Sequence, residues 1–177
     1  MQSVALQFKQ TFCAGFVSLA VISISSASLA VAVESVPNPR HVNGGWVTDM
    51  ANVLSSSTEA KLNQLIANLE AKNGSEIAVV TVPNTSPSQT PKKFATTLFN
   101  QWGIGKRGQD NGVLFLISKG DRRVEIETGY GVEKILPDAR VSNIIKQEIT
   151  PRFKKGDFDG GTLAGIKALV KALNSRT

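Results

Sequence analysis

Residues 113–118 read VLFLIS, apolar on both faces, and are followed within a few residues by a segment that alternates charged and apolar side chains. A short run that is apolar on both faces is the mark of a strand covered on both sides. The intervening Lys119-Gly120-Asp121-Arg122 turns the chain, and residues 123–127 return with Val124 and Ile126 on one face. Arg123, Glu125 and Glu127 fall on the other, which reads as the wetter face of an edge strand. The pair is therefore a β-hairpin. Its first strand begins where its second ends, so Asp110 and Asn111 are brought beside Glu127. Glycines flank both loops (Gly103, Gly105, Gly108, Gly112, Gly129 and Gly131), leaving backbone amides and carbonyls free to point into the gap between them.

The rest of the chain supplies the layers. Ser56-x-x-Glu59 is a capping box, and Leu62, Leu65, Ile66 and Leu69 follow at helical spacing up to Asn73-Gly74. EIAVVTV at 76–82 is a buried strand. Thr90-Pro91 opens a helix ending at Gly103, with Phe94, Ala95, Leu98 and Trp102 on one face. The strand–helix–strand passage implies a parallel pair joined by a right-handed crossover. Leu136-Pro137-Asp138 introduces a helix bearing Val141, Ile144, Ile145 and Ile149, which Pro151 breaks. Asp157 or Asp159 caps a last helix carrying Leu163, Ile166, Leu169, Val170 and Leu173. Trp46 and Val47 lay an apolar pair against the core. The order predicts one small α/β domain built on a small mixed sheet.

Residues 1–32 contain a single charge, Lys9, then an apolar run at 12–24, then small residues ending Ala30-Val31-Ala32. This is the signature of a cleaved signal peptide, with the cut after Ala32 and Ala30 as the other candidate. The apolar run falls short of the ~20 residues of a membrane span. An uncleaved N-terminal anchor is the alternative. The domain plan is a leader at 1–32, an extended lead-in at 33–45 and the folded domain at 46–174. Removing the leader takes away the one cysteine, Cys13, so disulfides, thiolate chemistry and cysteine-bound zinc are excluded. Export without disulfides points to a periplasm or a thylakoid lumen. Without Lys9, 19 basic residues stand against 14 acidic ones, which favours anionic partners. The excess is dispersed and aromatics are few, so nucleic acid is not an expected partner.

Carboxylates with backbone carbonyls are what a hard divalent cation takes, Ca²⁺ or Mg²⁺. Asp110 and Glu127 are accordingly the candidate catalytic pair, and Lys106, Arg107 and Asn111 the candidate substrate-binding residues. The plain alternative is a common Asp-Asn-Gly turn beside a solvated strand face. His41, the only histidine, lies in the lead-in, and no Ser-His-Asp set forms around it. GIGKRGQDNG is not a phosphate-cradling P-loop. Tyr130 between two glycines is placed to contact a ligand.

Val47-Thr48-Asp49, WGIG…DNGVLFLIS, EIETGYGVE…LPD and Pro151-Arg152-Phe153…Gly156-Asp157-Phe158…Gly161 occur in the order and spacing of the TPM domain. Over residues 42–173 the chain resembles that family, named also for thylakoid-lumen, photosystem-repair and membrane-receptor members. The resemblance implies a Rossmann-like α/β/α domain working outside the cytoplasm. Plant lumenal members are described as acid phosphatases that assist photosystem II repair, with calcium associated with the domain. Other members are accessory subunits of membrane complexes. The implied metal positions are Asp49, Asp110, Glu127 and Asp138. Two functions are thus expected: a metal-supported acid phosphatase acting on phosphomonoesters, or a non-catalytic assembly or quality-control factor docking on a membrane complex. Many bacterial members continue into a membrane helix and a Gly-rich tail. Ending at Thr177, this sequence points instead to a soluble, monomeric form without a C-terminal anchor.

Overall fold

The computed structural model describes residues 31–175 except Gln89. The expected leader lies outside the described residues apart from Val31 and Ala32. Among the described residues no helix is long and apolar enough to cross a membrane.

A 3-10 turn (Val33–Ser35) and a one-turn helix α1 (Pro39–Val42) occupy the expected extended lead-in. Asn38 accepts from the backbone N–H of Arg40 to start α1. β1 (Val47–Asp49) follows, then α2 (Ser56–Asn73), β2 (Glu76–Val82), α3 (Pro91–Trp102), β3 (Gly112–Ser118) and β4 (Arg123–Thr128). A 3-10 turn (Tyr130–Val132), α4 (Asp138–Ile144), a π turn (Ile145–Ile149), α5 (Thr150–Phe153) and α6 (Phe158–Asn174) complete the domain. The N-cap of α2 is Ser55, one residue before the expected box, and its hydroxyl accepts from Thr58 N–H. Gly74 ends α2 in the left-handed region, where a side chain is costly. Asp157 caps α6 by accepting from Gly160 N–H at 2.8 Å. Asp159 instead accepts from Ser55 N–H at 2.9 Å, tying the starts of α2 and α6 together.

Pro151 does not break its helix. The preceding π turn widens the backbone spiral, and the Thr150 hydroxyl donates to Ile145 C=O at 2.8 Å, so the chain carries on through α5.

The strands lie in the order β1-β2-β3-β4, the first three parallel and β4 antiparallel. β1 is the element that sequence periodicity missed: three residues are too few to show alternation. Side chains of the sheet point alternately to two faces, and both are covered. Ile77, Val79, Val113, Phe115 and Ile117 meet α2, α4 and α6. Ala78, Val80, Val82, Leu114 and Leu116 meet α3 and the lead-in valines. The expected α/β/α sandwich is what forms. Both parallel crossovers step the same way across the sheet, yet α2 and α3 lie on opposite faces. The two crossovers are therefore of opposite hand, and one departs from the right-handed rule. The β4 face expected to be wetter is closed by α3: the side chains of Glu125 and Glu127 are each only 12% exposed.

Candidate functional site

The parallel strands give the sheet two distinct ends. Asp49 lies at the carboxyl end, beside Thr81. Gly112 lies at the amino end, beside Glu76. Thr81 is five residue steps along β2 from Glu76, or roughly 16 Å. The sequence expectation of one ion shared by Asp49 and Asp110 thus meets a geometric obstacle. Three parallel strands hold these two residues at opposite ends of the sheet.

Asp49 is occupied at its own end. Its carboxylate accepts from Val53 N–H at 3.0 Å, from Leu54 N–H at 2.9 Å and from the Thr81 hydroxyl. It folds the 50–54 loop back over β1. Asp121 does the same for the next loop, accepting from the Ser118 hydroxyl at 2.6 Å and from both the hydroxyl and N–H of Thr85. The Ser118 hydroxyl, ahead of Thr85, holds the Asp121 carboxyl below the usual carboxylate range, even against the opposing effect of burial. The carboxyl end of an open α/β sheet is where ligands commonly bind. Here both of these carboxylates are spent on loop closure.

The opposite rim is built by residues 104–112 and 128–132. Gly131 N–H donates to Asp110 C=O at 3.0 Å, and Gly129 N–H to Gly112 C=O at 2.9 Å. The two loops touch backbone to backbone: a Cβ on Gly129 would collide with Asp110 C=O, and one on Gly131 with Gln109 C=O. Asp110 itself sits at φ +46°, a left-handed conformation that costs a non-glycine residue about 1–2 kcal/mol. Such strain is found where the surroundings enforce it, commonly at binding sites. The Asp110 carboxylate is exposed and makes no hydrogen bond or ion pair among the described residues.

Asn111 is fully buried. Its Oδ1 accepts from Lys106 N–H at 2.8 Å, and its Nδ2 donates to Gly74 C=O and to Gln109 Oε1. The amide braces the loop and has no free polar atom to offer a substrate. Lys106 reaches Glu70 at 2.7 Å and Glu76 at 2.8 Å. Hydrogen bonds to Glu70 first and Glu76 second raise its ammonium above the ordinary lysine value. Glu76 also accepts from Gly105 N–H at 2.8 Å. Arg107, in contrast, is exposed and unpaired among the described residues. Glu127 faces α3, where Lys92 Nζ lies 2.7 Å from its Oε1. That oxygen is buried and the contact lacks hydrogen-bond geometry, so the approach neutralises charge without directing a bond. Asp138 is exposed at the start of α4 and makes no side-chain hydrogen bond or ion pair among the described residues.

Of the expected set, Asp110, Asn111 and Glu127 reach one end of the sheet with Lys106 and Arg107. Asp49 does not. Among the described residues no three acidic, histidine or cysteine side chains converge as a chelating centre. The donors present do not fit the four-carboxylate cation site that the sequence suggested. Glu70, Glu76 and Lys92 are the rim residues that sequence reasoning missed, because each acts across a long sequence separation that no local pattern marks.

A family model for the TPM domain matches residues 47–172. The chain belongs to the TPM-domain family. The N-terminal domain of a protein from P. gingivalis is similar to it at 33% identity, covering 83% of this chain and 94% of that one, with a TM-score of 0.76. The BA42 protein of the psychrophilic bacterium Bizionia argentinensis shares the fold at 22% identity, covering 69% and 82%, with a TM-score of 0.59. The N-terminal domain of a protein from Corynebacterium glutamicum does so at 17% identity, covering 84% and 90%, with a TM-score of 0.59. No curated protein matches the chain. The TPM motifs fall on both ends of the sheet: Val-x-Asp closes a loop at the carboxyl end, while Asp-Asn-Gly and Glu-Thr-Gly-Tyr-Gly build the rim.

Proposed function

We propose that this TPM-domain protein acts outside the cytoplasm, in a periplasm or thylakoid lumen, as a non-catalytic assembly or quality-control factor. It docks on a membrane protein complex through the rim of loops 105–112 and 128–132. The observation that carries this reading is Tyr130, 82% exposed between two glycines that cannot accept a side chain. A tyrosine held rigidly in water gives a partner a large contact at little ordering cost. The free Asp110 and Arg107 lie on the loop whose backbone meets Gly131, and offer polar contacts of both signs. The positive balance of the whole chain suits an anionic partner surface. A Ca²⁺ or Mg²⁺ ion joins this reading as a rim ion on Asp110 that orders loops, and no reaction step is assigned to it.

The second reading is the acid phosphatase acting on phosphomonoesters. Its support is Arg107, a free guanidinium three residues from the free Asp110 carboxylate, suited to a phosphoryl oxygen. Two assays separate the readings. Purified chain is tested on p-nitrophenyl phosphate with and without chelator, beside Asp110→Ala. Cosedimentation with membranes of the source cells is measured for the wild type and Tyr130→Ala. The docking reading expects membrane binding that Tyr130→Ala abolishes and no hydrolysis above the protein-free blank. Hydrolysis that vanishes in Asp110→Ala, with membrane binding indifferent to Tyr130, would overturn it in favour of phosphatase action.

A further inference from the structure

We propose that maturation leaves Val31 on the folded domain, with the leader cut at the Ala30–Val31 bond. The proposal rests on the reading that the protein is exported. Small residues at the first and third positions before the cut occur twice: Ser28 and Ala30 before Val31, and Ala30 and Ala32 before Val33. A peptidase that reads only small side chains has no reason to prefer one. The fold does.

Val31 is 4% exposed and belongs to the apolar cluster of Val33, Val36, Phe94, Ala95 and Leu98. A cut after Ala32 would delete it and leave a hole beside α3. Ala32 holds the second reason. Its C=O accepts from Ser35 N–H at 3.0 Å and from the Ser35 hydroxyl at 2.7 Å, closing the 3-10 turn that presents Val33 and Val36 to the core. Hydrolysis after Ala32 removes that carbonyl with the leader and opens the turn, returning both exposed Ser35 donors to water. Hydrolysis of the Ala30–Val31 amide spares all of it. Water adds its oxygen to the Ala30 carbonyl carbon, the C–N bond breaks, and the proton goes to the Val31 nitrogen. The isopropyl group stays in the cluster while the new ammonium terminates the backbone. Val31 is thus the last residue at which processing can begin the mature chain without loss of packing.

The test uses the full chain expressed in an exporting bacterial host, with intact mass and N-terminal sequencing of the recovered protein. The expected mature form begins at Val31, and Ala32→Leu leaves that processing unchanged, since the bulky side chain then lies beyond the cut. A form beginning at Val33, or processing abolished by Ala32→Leu, overturns the proposal while leaving export intact. An uncut chain overturns the proposal: recovered from the membrane with its domain outside the cytoplasm it leaves export intact as an uncleaved anchor, and recovered from the cytoplasm it overturns export as well. Within the processed protein, Val31→Ser lowers the melting temperature by roughly 5 °C if the isopropyl group is packed as described. Melting unchanged by this substitution overturns the packing argument.

Discussion

Asp49→Ala separates a structural aspartate from a metal ligand. The carboxylate serves three donors: the N–H groups of Val53 and Leu54 and the Thr81 hydroxyl. Leu54 is buried, so its stranded N–H costs about 1–3 kcal/mol. The Val53 N–H is half-buried and falls near the lower end of that range. The Thr81 hydroxyl also accepts from Ala51 N–H at 3.0 Å, so losing its acceptor loosens a second loop contact. Together the substitution costs roughly 3–4 kcal/mol, a large share of the ~5–15 kcal/mol that holds a domain folded. At about 2–4 °C per kcal/mol for a chain of this size, the melting temperature falls by roughly 6–16 °C. Asp49→Asn keeps one acceptor oxygen and falls about halfway. Thermal unfolding followed by circular dichroism reads the loss. Calcium titration of each variant, run well below its melting temperature, reads the alternative. A variant that melts with the wild type but loses a calcium response would refute the loop-closure argument and return Asp49 to the metal set.

Other substitutions test the rim and its supports. Asn111→Ala strands Lys106 N–H and Gly74 C=O in a buried setting and lowers stability by roughly 2–4 kcal/mol, measurable by urea unfolding. Gly131→Ala forces the two rim loops apart and strains the Gly131–Asp110 bond, costing roughly 2–4 kcal/mol. Gly108→Ala has open space around its Cβ and costs only the ~1 kcal/mol of its positive φ, so equal melting of these two variants would count against the backbone contact described. Asp121, held low chiefly by Ser118, stabilises the fold above the ordinary carboxylate range and loses that contribution as pH falls through its folded value. Asp121→Asn therefore flattens the acid limb of a melting-temperature profile; an acid limb of unaltered slope would contradict this.

The layers were legible because their signals are local. Thr90-Pro91 and Gly103 bracket α3 as expected, since a hydroxyl cap and a left-handed glycine act within one turn. The both-face apolar run of β3 announced its central place in the sheet. β1 was not legible, because its assignment comes from pairing with Val79–Thr81 rather than from its own three residues. The rim was half legible. Hairpin topology puts Asp110 near the end of β4, and the glycine-rich loops do meet there. Topology does not say which way a side chain points: Glu127 turns under α3 to Lys92, and Asn111 turns inward. Pro151 misled for a related reason. A proline forbids one hydrogen bond, and a wider turn needs a different one.

The two sheet ends divide the labour of sequence change. Substitutions at Asp49 or Asp121 unpick loops and are felt throughout the domain. Arg107, Asp110 and Tyr130 project from a frame whose rigidity comes from main-chain contacts beneath them. The side chains of Arg107 and Tyr130 can thus vary at little folding cost, while the left-handed backbone at Asp110 favours Asp, Asn or Gly there, so a lineage can acquire a different partner by repainting that frame while its core stays as it is.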